Sequence, residues 1–354
     1  MAKHQIFLLH GMGSFEPGWS ARIQQQIGEL FARYPGAAAF VDDVEFKEIT
    51  YDAAFEAWRT QWAQDAKGAA GALTAVGLAG GAAARLVELS GKASGDNLLR
   101  THVLDVVAYR FLLPVAQEVW RSVQKQITGH LKSLPQGDSL HSSVIAHGLG
   151  TAVAYEAYHG MMTDGLDSVR LASAFRPDNV FLVANAVKPL WNRGGSVYPA
   201  VMAPSLSVAD GWCFRMASFA HRLDPFARLE RFDPPDSWFS PMAPRGEVYL
   251  DATIAAEDLQ DENVHAFEHY LGHPAVHVPL LRWLSFDAGI SKKEHDAALA
   301  QWRTKSLATA AKAKARTRLE AALVSASKDW AREIKMLGLL REIMLASKLK
   351  GGES

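Results

Sequence analysis

The chain alternates short apolar runs with longer stretches of helical periodicity. Ile6–Leu9 is apolar and ends in His10-Gly11-Met12-Gly13, which predicts a strand, a glycine-bearing turn and then a helix over Ser20–Ala32. Val44–Tyr51 alternates apolar and polar positions and predicts a second strand. From Ala54 to Leu134 the pattern is almost entirely helical. Ser142–Ala146 is again short and apolar, followed at once by glycines and a helical stretch over Thr151–His159. Val180–Ala184, Cys213–Phe219 and Val248–Asp251 complete the predicted strands. Strands separated by helices imply a mostly parallel sheet with helices on both faces, an α/β fold. Functional groups in such sheets collect at the carboxyl ends of the strands.

Two segments stand apart from this rhythm. Gly68–Ala84 is an uncharged run of Gly, Ala, Leu and Val between Lys67 and Arg85. It sits at the lower length limit for a membrane span, and its small side chains supply little transfer energy, so a close-packed pair of cap helices is expected in preference to insertion. Ser291–Lys350 reads as long helices with roughly twice as many basic as acidic residues, a face that is ordinarily solvated. A partner or peripheral membrane contact is the alternative. The expected organisation is an α/β domain over 1–290, with a helical insertion at about 54–134, and a helical extension over 291–354. No internal repeat is visible.

Composition narrows the picture without redirecting it. The 354 residues are 49% hydrophobic and 21% charged, as expected of a well-packed globule. A formal net charge of -1 provides no global field to recruit nucleic acid. Cys213 is the only cysteine, which rules out a disulfide within the chain and argues against a cysteine-based metal site. Met1–Gln5 runs straight into the first apolar strand without the anatomy of a signal peptide. Cytoplasmic residence is therefore the expectation, with signal-less export left open. The oligomeric state is not legible.

The candidate chemistry lies just after the predicted strands. In Ser143-Val144-Ile145-Ala146-His147-Gly148-Leu149-Gly150-Thr151, small residues at Ala146 and Gly150 bracket a strand-to-helix turn. Taken alone it fits an ordinary glycine turn, such as a phosphate-binding loop. His10-Gly11-Met12-Gly13 follows the first strand. Met216–Ala220 leads into His221-Arg222-Leu223-Asp224-Pro225-Phe226, and the last strand is followed by Asn263-Val264-His265-Ala266-Phe267-Glu268-His269-Tyr270. Asp224 before proline could be a simple turn former.

Taken together and in this order, these motifs resemble the α/β-hydrolase superfamily, in particular lipase- or esterase-like serine hydrolases, over Ile6 to about Leu284. The resemblance implies that Gly148 occupies the nucleophile position of a G-x-S-x-G elbow, and that Met12 and Leu149 offer backbone N–H groups as the oxyanion hole. His10, Gly11, Gly13 and His147 would line the bound substrate. Asp224 would be the acid, with Asp210 in reserve, while Asp233 and Asp236 read as solvated turn residues. His265 would be the base, with His269 as its rival. His265 and His269 lie one helical turn apart, which also suits zinc, but no third ligand of suitable spacing is evident. His273 and His277 read as surface or packing residues around Pro274.

The implied activity is hydrolysis of an apolar or lipid ester without a cofactor. Because Gly148 has no side chain to attack a carbonyl, this chain is expected to be inactive or nearly so. A serine knockout of a working hydrolase and a natural pseudoenzyme that binds without turnover both fit. Retention of Asp224 and His265 favours the knockout. An amidase or acyltransferase would use the same residues.

Overall fold

The computed structural model describes residues 3–13, 15–58, 60, 105–106, 108–110, 112–134, 141–163, 176–207, 211–224, 227, 230–260, 263–286, 289–304 and 317. Six strands form its centre: β1 (His4–Leu9), β2 (Val44–Ile49), β3 (Ser142–His147), β4 (Asn179–Val183), β5 (Arg215–His221) and β6 (Tyr249–Ile254). All pair in parallel, in the order β2-β1-β3-β4-β5-β6. The chain leaves β1 for β2 on one side and crosses back to β3 on the other. The strand order reverses between β1 and β3, and it is at the carboxyl ends of strands at such a reversal that parallel α/β sheets bind their ligands.

Strand periodicity divides the core into two layers. Phe7, Leu9, Val144, Ala146, Val180 and Leu182 point to one face, against α2 (Leu113–Ser133) and α3 (Leu149–Thr163). Ile6, Leu8, Ile145, Phe181 and Val183 point to the other, against α1 (Ala21–Arg33), α4 (Phe267–Gly272) and α5 (Pro274–Leu284). Alternation with a period of two turns one apolar run into two buried surfaces. In α1, Ile23, Ile27, Leu30 and Phe31 supply the apolar stripe. By contrast α3 is buried on nearly every side, because α2 covers the flank that the sheet leaves open. Within that contact Glu156 is fully buried and accepts hydrogen bonds from Tyr109 and, at 3.0 Å, from Trp120 Nε1.

Some boundaries differ from the sequence expectation. The fifth strand begins at Arg215 rather than Cys213, since Cys213 turns its carbonyl to Ser205 N–H at 3.0 Å. It continues to His221, which pairs with Ile254 and so carries β6 three residues beyond Asp251. α3 starts at Leu149, directly on the glycine turn. The expectation for Gly68–Ala84 lies outside the described residues. So does most of the helical extension, of which α6 (Lys292–Thr304) is described. Among the described residues no helix is long and apolar enough to cross a membrane.

Candidate active site

The turn from β3 into α3 is built around two glycines that the backbone requires. Gly148 has φ +52, in the left-handed region, and its N–H donates to the Val183 carbonyl at 3.0 Å. Its carbonyl accepts from Thr151 N (3.0 Å) and Thr151 Oγ1 (2.7 Å), and Thr151 Oγ1 accepts from Ala186 N at 2.9 Å. The elbow is thus tied to the end of β4. At Gly150 a Cβ would stand 2.2 Å from the His10 carbonyl oxygen, so the loop after β1 rests directly on the start of α3. Met12 and Gly13 continue that loop, and Met12 is buried. Leu149 is the first residue of α3, where an N–H has no acceptor within the helix.

The ends of β5 and β6 bring an acid and a base to the same place. Asp224 is fully buried, and its Oδ2 accepts from His265 Nδ1 at 2.8 Å. A carboxylate only accepts, so Nδ1 carries a proton, and in the neutral ring Nε2 is left with the lone pair. That Nε2 points at the elbow, 2.9 Å from where a Cβ on residue 148 would lie. Tyr270 donates its hydroxyl to the same Oδ2 at 2.8 Å and accepts from His221 N–H at 2.8 Å. Burial, with the Asp224 charge beside it, raises the Tyr270 hydroxyl well above its ordinary range and keeps it neutral.

His147 and His10 are placed as supports for these loops. His147 Nε2 donates to the backbone carbonyl of His265 at 2.7 Å, and its ring stacks on Phe267 with centroids 4.8 Å apart. Burial, followed by the neighbouring His265, depresses His147 to about 3, so it stays neutral at ordinary pH. His10 lies between the rings of Phe15 (4.3 Å) and Tyr51 (4.1 Å). Its Nδ1 donates to the Gly11 carbonyl at 2.9 Å, while Nε2 stands 2.9 Å from Asp52 Oδ2. Tyr51 donates to the carbonyls of His10 and Gly11. The sequence reading placed both histidines against substrate; in the structure His147 Nε2 and His10 Nδ1 each meet a backbone carbonyl.

The remaining candidates separate by position. His269 packs edge-on against the rings of His221 (5.6 Å) and Trp302 (5.8 Å). His277 is fully buried, donating to the Leu271 carbonyl and accepting from Tyr34. His273 is 2% exposed and caps α5 by accepting from Ala275 N, so both are packing residues and neither is on the surface. Among the described residues no group of three His, Cys, Asp or Glu side chains could hold a metal ion. Asp233 and Asp236 pair with Arg245 at exposed positions. Asp210 lies outside the described residues. Sequence reasoning missed Tyr270 and Asp52. No spacing rule marks a buried tyrosine as the second partner of a carboxylate, although Tyr270 stands in the same stretch as His265.

No family model matches the chain, and no curated protein or solved structure is significantly similar to it.

Proposed function

We propose that the chain is a lipase- or esterase-like α/β-hydrolase scaffold that accepts an apolar or lipid carboxylic ester and lacks its covalent nucleophile at Gly148. The observation that carries this reading is the aim of His265: backed by Asp224, its Nε2 lies 2.9 Å from the position of a Cβ on residue 148. A serine there would pass its proton to Nε2 as its oxygen attacked the ester carbonyl, and Asp224 would stabilise the imidazolium. The Met12 and Leu149 N–H groups would receive the oxyanion. Attack and hydrolysis need only these groups and water, so the reading invokes no cofactor and no nucleic-acid partner. With Gly148 no acyl-enzyme forms, and acceleration falls to about 10³–10⁴ over water, the residue left by binding and the oxyanion hole.

A second reading is a binding protein on the same scaffold, and Gly148 itself favours it. Both are tested by Gly148→Ser and p-nitrophenyl esters of graded chain length. The expected result is hydrolysis with an acyl-enzyme burst, lost again on His265→Ala and kept on His269→Ala. A folded Gly148→Ser protein that hydrolyses none of the esters overturns the esterase reading and leaves the binding protein.

A further inference from the structure

We infer that Tyr270 is a positioning residue that sets the direction of the Asp224 carboxylate and, through it, the aim of His265. The inference rests on the esterase reading for its purpose, but its geometry stands independently. The Tyr270 hydroxyl has one proton, and where that proton points depends on what the oxygen accepts. It accepts from the N–H of His221, a backbone group fixed at the end of β5. The hydroxyl proton is thereby left to Asp224 Oδ2, at 2.8 Å. The same Oδ2 receives His265 Nδ1 at 2.8 Å, so both donors fix one oxygen. Oδ1 accepts from Ala227 N at 3.4 Å. The relay therefore runs from a rigid strand, through a fully buried ring on α4, to the carboxylate that orients the base. Loss of the hydroxyl would leave the tyrosine's packing in place while allowing Asp224 to swing, turning Nε2 away from residue 148.

Tyr270→Phe separates these roles because it keeps the ring. In the chain as it stands, proton NMR should show the His265 Nδ1 proton far downfield, absent in Asp224→Asn. In Tyr270→Phe that resonance should broaden and move upfield. Fluorinated tyrosine incorporated at position 270 keeps both ring and bond and should move the same resonance, so a poorly folded Tyr270→Phe does not remove the test. In the Gly148→Ser background, Tyr270→Phe should lower kcat about tenfold with KM unchanged, the scale of one hydrogen bond to a charged group. An unmoved Nδ1 proton in both variants overturns the positioning role, whatever the esters show. A silent Gly148→Ser protein with a moved proton sinks the esterase reading and leaves Tyr270 as the residue that orients the pair.

Discussion

A Cβ on residue 150 would meet the backbone of the loop after β1, whereas a Cβ on residue 148 would meet the end of an imidazole ring. The two glycines are therefore not equivalent. Gly150→Ala pushes against a carbonyl 2.2 Å away that cannot rotate aside, and we expect it to destabilise by about 3 kcal/mol. Gly148→Ser places a side chain at φ +52 and displaces the His265 ring by a few tenths of an ångström, for about 1–2 kcal/mol. Urea unfolding of both variants checks the ranking. A Gly148→Ser protein more stable than the parent would contradict the strained elbow. At this scale Asp224 and His265 were legible because each follows an apolar strand at a turn. Tyr270 and Asp52 were not, because their partners come from other elements and are set by packing alone.

Among the elements, α6 shows how the helical extension begins. Its Trp302 Nε1 donates to the Asp258 carbonyl at 2.8 Å, Arg303 Nε reaches Asp258 Oδ1 at 2.8 Å, and Gln260 donates to the Trp302 carbonyl at 2.7 Å. These bonds fasten α6 to the segment between β6 and His265. No residue in α6 is fully buried, so the Trp302 contacts decide whether the helix stays docked. Trp302→Ala should cost about 2 kcal/mol, less than a core tryptophan, because its ring is only partly buried. Amide exchange should rise selectively across Lys292–Thr304 while α5 stays protected; equal exchange in both helices would show that α6 is not a separate unit. Five strands were legible from their apolar runs and β2 from its alternation of apolar and polar positions. Their ends were not, since pairs such as His221 with Ile254 depend on a neighbouring strand.

At the scale of the whole molecule, five buried histidines among the described residues are held in the neutral form. Burial, the largest cause in each case, takes His4, His221 and His273 from 6.5 to about 4 and His147 and His277 to about 3. Below pH 6.5 the unfolded chain binds protons that the folded chain refuses, so stability is level above that value and falls towards pH 4. At pH 5 each ring costs up to about 2 kcal/mol, so five together rival the whole stability of a typical domain. Glu156 acts with the opposite sign: burial raises it from 4.5 to about 7, and the stability it lends at low pH is lost as pH rises through 7. One group does not offset five. The urea midpoint should drop steadily between pH 6.5 and 4.5, and a flat profile would show that these rings charge freely in the folded state.

The strand order has a further consequence, for the time at which the site comes into being. His147 and His265 are 118 positions apart, and the acid and base follow the last two strands at one edge of the sheet. At ordinary rates of synthesis that interval lasts on the order of ten seconds. Through it the elbow and the loop after β1 are already made while the base that faces them has yet to leave the ribosome. In a growing chain the Asp224–His265 pair cannot face the elbow until the segment after the final strand docks.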